Sequence, residues 1–582
     1  MPTGEDTHGS DYFTPVFLLP QLCNSTFCLT ASLEIMTGLD SFDPQRTVLS
    51  PQYRAQLLGS LAAGAHYDLV VIGAGVTGSG VALDAASRGL SVLIVEAQDL
   101  AFGTSRWSSK LAHGGLRYLA SGNVGIAQRS AVERGALMET IAPHLTRALA
   151  QVVAVDNFSP LSFVPRLGFF AGDFLRIAAG TSSRTLPRSR TVSAKKVKQL
   201  CPGVSDAVKF GFVNYDGQLI DDARLVTALA RTAAGYGADV LTHTKADIAP
   251  GRDDGLKSVT LTRTHAAEGE PEWPAEGIQV TAAGVINATG VWAGDIEVDV
   301  SVTPSRGTHL VVDAEKLGNP QGALTVAVQG SVNRFCFILP TQLGRCYIGL
   351  TDETAEFEDI PHAPESDIEW ILTVVNHGLK TQLTADDVLG AFAGLRPLVQ
   401  LRGAVAKAAS DSTADLSREH LIVHKDGVVT VTGGKLTEYR LMAQQAVDRA
   451  LKEQEIRRRI EGSAKDCATK EIALVGANAE RSPQGASQIA AAHVVTSALP
   501  QSLVSRFGAE ARNVLAECRI PDGEQQVGGL DITRAEISYA VTHEGAVTVG
   551  DILDRRTRIG LVPEDRRAAE SVAEEALAAA QV

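Results

Sequence analysis

Cysteine is scarce: seven residues in 582 (Cys23, Cys28, Cys201, Cys336, Cys346, Cys467 and Cys518), odd in number, scattered, and without a C-x-x-C pair. Such a set builds neither a disulfide framework nor a zinc site, so no metal centre is expected and a reducing cytoplasm is the expected location. Positive charge is short as well, with 53 Lys and Arg against 67 Asp and Glu and a formal net charge of −14. That balance argues against nucleic acid as a partner, because a phosphate backbone needs a basic face. Any small anionic ligand must then be met by a local basic pocket. No run reaches the roughly 18 to 20 apolar residues of a spanning helix. The apolar stretch near the start follows Glu5, Asp6 and Asp11, where an export signal needs positive charge. Residues 1 to about 63 read as an irregular N-terminal extension, with Met36 an alternative start.

What the chain does have is 45% hydrophobic and 21% charged residues, ordinary for a globular protein of several structural units. Order begins at "YDLVVIGAGVTGSGVALDAASRGLSVLIVEAQDL". A short apolar run enters Gly73-x-Gly75-x-x-Gly78, a small-residue helix follows, and a second β-rich run ends in Glu96. Gly73 permits the tight turn, Gly75 lets backbone approach a pyrophosphate, and Gly78 lets helix and strand pack closely. Glu96 stands where an acid accepts hydrogen bonds from an adenosine ribose. Strand, helix, strand and acid in this order read as a dinucleotide site, the competing reading being an ordinary βαβ unit whose glycines serve packing alone, and the motif does not separate NAD from FAD. Two distant stretches favour FAD: "GVINATGVWAG" reads as a buried strand breaking at Gly290, and "VVTVTGGKLTEYRLMAQQAVDRALK" as strand, Gly433-Gly434 turn and helix. In that helix Leu436, Tyr439, Ala443, Val447 and Ala450 share one face, and its N-terminus is a second site that favours negative charge. The flavin end of FAD gains from such a terminus when reduction puts charge on its pyrimidine edge.

Between these stretches lies "TSRWSSKLAHGGLRYL", followed in order by "APHL", "DDARLV", "NATGVW", "RGTHLVV", "AGLRPL", "LSREH" and "GGKLTEYR". In these motifs the chain, from about residue 66 to its end, resembles the FAD-dependent, quinone-linked glycerol-3-phosphate dehydrogenases. The likeness is looser over the last hundred residues, where it rests mainly on "RAEISYAVTHEGAVTVGDILDRRTRIGL". The resemblance implies an α/β glutathione-reductase-type FAD-binding fold with a mixed α+β substrate domain and a C-terminal helical domain. The FAD domain would be assembled from 64–150, 205–300 and 400–455, the substrate domain from 151–204 and 301–399, and the helical domain from 465–582. The alanine-rich tail reads as a solvated helix.

The resemblance also implies site residues. Thr104, Ser105, Ser109 and Lys110 would contact the FAD, with Gly114 and Gly115 passing backbone close to it. Gly290, Gly434, Lys435, Leu436 and Thr437 would complete the cofactor site. Arg117 and Tyr118 would face the substrate, while His113 reads as a structural histidine. Arg396 and Arg418 look like the clamp for a phosphate dianion, which planar guanidinium groups meet in bidentate fashion, with Lys435 and Arg334 as further basic candidates. His309 would be the base that takes the hydroxyl proton of a secondary alcohol, since a neutral imidazole accepts a proton near neutral pH; its alternative is a strand-end histidine bonded to backbone. Two departures stand out: Arg306 where relatives often have lysine, and Leu350 where they often have threonine before Thr351 and Asp352.

Three functions stay open on the sequence. The first is oxidation of glycerol 3-phosphate with a quinone as acceptor; the second is an oxidase that makes hydrogen peroxide; the third is a flavin-binding module without catalysis. For the first, Leu161 to Lys198 mixes aromatic residues with Arg166, Arg176, Arg184, Arg188, Arg190, Lys195, Lys196 and Lys198, which suits peripheral attachment to the inner face of a cytoplasmic membrane. A domain-interface helix with a solvated basic loop is the competing reading. A homodimer is among the assemblies the sequence permits.

Overall fold

A computed structural model describes residues 42–120, 122–158, 164–249, 254–267, 270, 272–331, 334–401, 419–460, 462–477 and 499–581. Two sheets organise them. The first runs in the order His420–Lys425, Val428–Gly433, Ile278–Asn287, His66–Ile72, Val92–Val95 and Asp239–Leu241. Its central strands are parallel and nearly continuous in Val, Ile and Leu, as strands buried on both faces require. The helices Val76–Ser87, Asp222–Gly235 and Tyr439–Lys452 pack on it in one core cluster. Small residues on Val76–Ser87 allow the close approach: a Cβ on Gly80 would meet the Tyr439 ring at 3.0 Å and Ala443 at 3.2 Å.

The second sheet has ten strands, among them Thr146–Val155, Phe210–Leu219, Val300–Asp313, Arg345–Gly349 and Val388–Leu401. Val300–Asp313 and Val388–Leu401 pair antiparallel along nearly their whole length, which sets His309 opposite Phe392 and Ser305 opposite Arg396. Phe210–Leu219 and Thr146–Val155 belong to this sheet, so its boundaries differ from the expected 64–150 and 205–300. The two sheets exchange chain more often than apolar runs alone reveal.

The expected irregular extension is corrected from residue 42 onward. Pro44–Thr47 forms a 3₁₀ turn and Pro51–Ala62 a helix whose N-cap Ser50 accepts from Tyr53 N, while Leu57, Leu58 and Leu61 are buried. Residues 1–41 lie outside the described residues. At the other end, Pro563–Ala579 is helical as expected but not solvated all round. Ala569, Ala573 and Ala576 recur at helical spacing and are buried against Ile537, Ile552 and Ile559.

Candidate active site

The site is built from the C-terminal ends of the parallel strands. Gly73 leaves the first strand at φ +101°, a left-handed conformation, and a Cβ there would lie 2.7 Å from the Ala288 carbonyl oxygen. Gly75 caps the helix Val76–Ser87. Gly78 has no room for a side chain, because its Cβ would overlap the Gly73 carbonyl. Glu96 accepts from the Ala74 N–H at 2.8 Å and from the Gln98 N–H at 3.0 Å, and burial raises its pKa. Each carboxylate oxygen keeps a second lone pair for a ribose hydroxyl. Ser105 Oγ accepts from the Val76 N–H at 2.9 Å, at the helix N-terminus where a pyrophosphate would be held. Gly290 sits at φ +63° and its Cβ position meets nothing within 4 Å, an open face beside the nucleotide turn. Together these groups fit a long dinucleotide such as FAD.

The other expected cofactor contacts divide. Thr104 spends its hydroxyl on the Leu395 carbonyl at 2.7 Å. Gly434 is left-handed and pressed between Met442 and His420, with Leu436 and Thr437 opening the helix that follows. Gly114 and Gly115 are required by protein, not by open space: a Cβ on Gly114 would strike the Arg134 guanidinium, and one on Gly115 would lie 2.9 Å from Ala127 Cα. The Lys110 side chain is turned away into the protein. Its ammonium is fully buried, pairs with Asp222 at 2.9 Å, and donates to the carbonyls of Arg106 and Ser108, each at 3.2 Å. Three donors are thereby matched to three acceptors, which leaves only backbone for a cofactor.

His309 is buried in the second sheet with its ring stacked on Phe392, the centroids 4.9 Å apart. Ser109 Oγ lies 2.8 Å from Nε2, and Nδ1 has no hydrogen-bond partner among the described residues. Burial, then the nearby charges of Lys110 and Arg396, push its pKa down to about 3, so the imidazole is neutral at physiological pH. Arg396 folds over Gly307, where a Cβ would come 2.1 Å from its NH2. There it donates to Asp352 at 3.0 Å, to Ser305 Oγ at 3.3 Å and to the Thr351 carbonyl at 3.3 Å. Ser305, Gly307 and His309 share one strand face, so the guanidinium and the imidazole are neighbours on it. Behind them Asp367 holds Arg306 at 3.1 Å and Thr308 Oγ1 at 2.6 Å. Arginine at 306 therefore keeps a structural ion pair, and Leu350 lends a methyl group to the space above Gly307.

The remaining basic candidates are placed differently. Lys435 donates to Glu438 at 3.1 Å and to Ser130 at 3.2 Å and lies 3.9 Å from the Tyr118 ring centroid, so a carboxylate already balances its charge. Arg334 is half exposed, set against Trp370 and paired with Glu353, the neighbour in sequence of the Asp352 that Arg396 holds. Arg117 lies on the short helix Leu116–Ala120, and Arg418 lies outside the described residues. Sequence reasoning missed Asp222, which accepts from Ser108 N and Oγ at 3.0 and 2.7 Å and from Lys110. It also missed Phe392, the platform for His309. "DDARLV" was the only hint of the first; nothing local marks the second.

The profile of the family "FAD dependent oxidoreductase" matches residues 68–440, and that of the "C-terminal domain of alpha-glycerophosphate oxidase" matches residues 467–581. The fold and the site thus define an FAD-dependent oxidoreductase. Within that class, glycerol-3-phosphate dehydrogenase 1 of Mycobacterium tuberculosis is 49% identical over 542 residues, covering 92% of this chain and 99% of the relative. A mitochondrial glycerol-3-phosphate dehydrogenase of Arabidopsis thaliana is 31% identical, covering 90% and 84%. Among solved structures, the glycerol-3-phosphate dehydrogenase of Bacillus halodurans complexed with FAD superposes with a TM-score of 0.64 at 25% identity, covering 90% of this chain and 94% of that one. The chain belongs to the FAD-dependent glycerol-3-phosphate dehydrogenase family.

Proposed function

We propose that the protein oxidises sn-glycerol 3-phosphate to dihydroxyacetone phosphate and passes the electrons to a membrane quinone. The observation that supports this best is the neutral, buried His309 beside the Arg396 guanidinium on one strand face. FAD supplies the two-electron acceptor for the hydride that leaves C2. His309 takes the C2 hydroxyl proton at Nε2, the nitrogen that faces Ser109 Oγ at 2.8 Å. A base with a pKa near 3 is weak, but a phosphate dianion at Arg396 offsets one of the charges that depress it. Arg396 binds the phosphate by exchanging its contacts to Asp352 and Ser305 for charge-assisted bonds to the dianion.

The acceptor reading rests on the helix Val164–Ala178. Leu167, Phe170, Phe174 and Ile177 recur at helical spacing and are all exposed, an apolar stripe. Arg184, Arg188, Arg190 and Lys195 are exposed close by in sequence, whereas Arg176 is buried on the Thr181 carbonyl and Arg166 is bonded to Ser189. An exposed apolar stripe next to basic residues suits the interface of an anionic bilayer at the inner face of the cytoplasmic membrane. Among the described residues no helix is long and apolar enough to cross a membrane. The test is reoxidation of the substrate-reduced protein on anionic liposomes. Rapid return of the oxidised flavin spectrum with ubiquinone or menaquinone, and slow return in air, is the expected result. Rapid return in air with stoichiometric hydrogen peroxide would make the protein an oxidase.

A further inference from the structure

The segment Arg534–Leu561 sends one side chain deep into the nucleotide-binding body. Arg558 is buried at φ +65°, a conformation that a side-chain-bearing residue seldom adopts. Its guanidinium donates to the Asp554 carbonyl and to the Arg106 carbonyl, each at 2.6 Å, and Nε stands 3.3 Å from Asp221 Oδ2. The same Arg106 carbonyl accepts from Lys110, which Asp222 holds. One backbone oxygen is thus gripped by two cations, each anchored by its own member of the Asp221–Asp222 pair. Three residues further on, Ser109 meets His309 Nε2.

A second route starts at the same guanidinium, which lies 5.3 Å from the centroid of the Trp107 ring. Trp107 stacks on Phe392 at 5.7 Å, and Phe392 stacks on His309 at 4.9 Å. Val562, with Leu561, packs into the same cluster as Phe392. The C-terminal domain therefore reaches His309 both through the hydrogen-bonded loop and through stacked rings.

We infer that Arg558 is a positioning residue for the Ser109–His309 pair. This rests on the reading of His309 as the base. Removing the guanidinium takes from Asp221 the cation beside it and leaves the Arg106 carbonyl to Lys110 alone, so the loop that carries Ser109 keeps its Ser108 bonds to Asp222 but loses its tie to the C-terminal domain. A displacement of about 1 Å at a reacting group costs on the order of 10²-fold in rate.

The test uses the full-length flavoprotein with Arg558→Met, Arg558→Lys, His309→Gln and the double variant Arg558→Met/His309→Gln. FAD content, the half-saturating glycerol 3-phosphate concentration and the limiting rate of anaerobic flavin reduction are measured for each. Arg558→Met is expected to keep its FAD and to half-saturate within about threefold of wild type, yet to reduce flavin about 10- to 100-fold more slowly. In the His309→Gln background the same substitution should cost less than about threefold, because its effect runs through the imidazole. An unchanged limiting rate in flavin-loaded Arg558→Met, or an equal loss in both backgrounds, overturns the proposal. If Arg558→Met does not retain FAD, Arg558→Lys decides, since it keeps a buried positive charge beside Asp221 but lacks the fork that spans the Asp554 and Arg106 carbonyls. A slowed rate then supports the proposal and a wild-type rate overturns it. A wild-type rate in His309→Gln would instead overturn the reading of the base.

Discussion

Replacing Phe170 and Phe174 together with serine tests the apolar stripe at its centre. The two rings are 54% and 60% exposed. Full burial of a phenylalanine contributes roughly 1.5–3 kcal/mol, so each ring has about 1–2 kcal/mol left to gain in a bilayer interface. Losing both should weaken partitioning by about 2–4 kcal/mol, a factor of roughly 30 to 700. Flotation of the purified protein with anionic liposomes reads that factor, and quinone-linked turnover should fall with it while anaerobic flavin reduction stays normal. Because both rings already face outward, the thermal midpoint should hardly move. Phe169 is the internal control: it packs against the buried cluster of Val155, Phe210 and Phe212, so Phe169→Ser should lower stability without a comparable loss of partitioning. Unchanged liposome binding in the double variant would refute the reasoning and leave the stripe to a protein partner.

Three further outcomes are expected. Arg396→Ala should raise the half-saturating glycerol 3-phosphate concentration for flavin reduction in a stopped-flow assay by about 30-fold or more, since Arg396 is part-buried and the low end of the range for losing one partner of a charged contact is about 2 kcal/mol; an unchanged half-saturating concentration would remove Arg396 from the phosphate site. His309→Gln should slow the same step by about 10² to 10⁴ while FAD still binds, the usual scale for losing a general base, and an equal rate would sink that role. Stability should fall on acidification: His144 and His309 are held neutral with pKa values near 3, mainly by burial. The unfolded chain, whose histidines titrate near 6.5, then binds more protons than the native state, so stability is lost as pH falls from about 6.5 towards 3. Each histidine contributes roughly 1.4 kcal/mol per pH unit in that window. Denaturant midpoints that stay flat between pH 6.5 and 4.5 would contradict it.

What the sequence made legible was local. Gly73, Gly75, Gly78 and Glu96 sit within one strand–helix–strand unit, so spacing alone gives their roles, and the left-handed Gly433-Gly434 turn is equally visible from its residue types. What it hid depends on contacts between distant residues. Ser109 and His309 meet across 200 positions, and Arg558 reaches Arg106 across 452. Lys110 looked like a cofactor ligand because its motif is specific, and only the placement of Asp222 shows its charge already matched. The stripe on Val164–Ala178 followed the same rule: aromatic content was plain, but which aromatic faces inward was not. Phe169 packs and Phe170 does not, a difference of one position that the approach of Phe210 and Phe212 decides.

The most direct measurement is anaerobic titration of the purified protein with glycerol 3-phosphate, followed by the visible absorbance of the oxidised flavin. Stoichiometric bleaching with formation of dihydroxyacetone phosphate, and no bleaching by glycerol at the same concentration, is the expected result. A flavin that stays oxidised under excess glycerol 3-phosphate, or that glycerol bleaches equally well, would contradict the assignment of His309 and Arg396 to that chemistry.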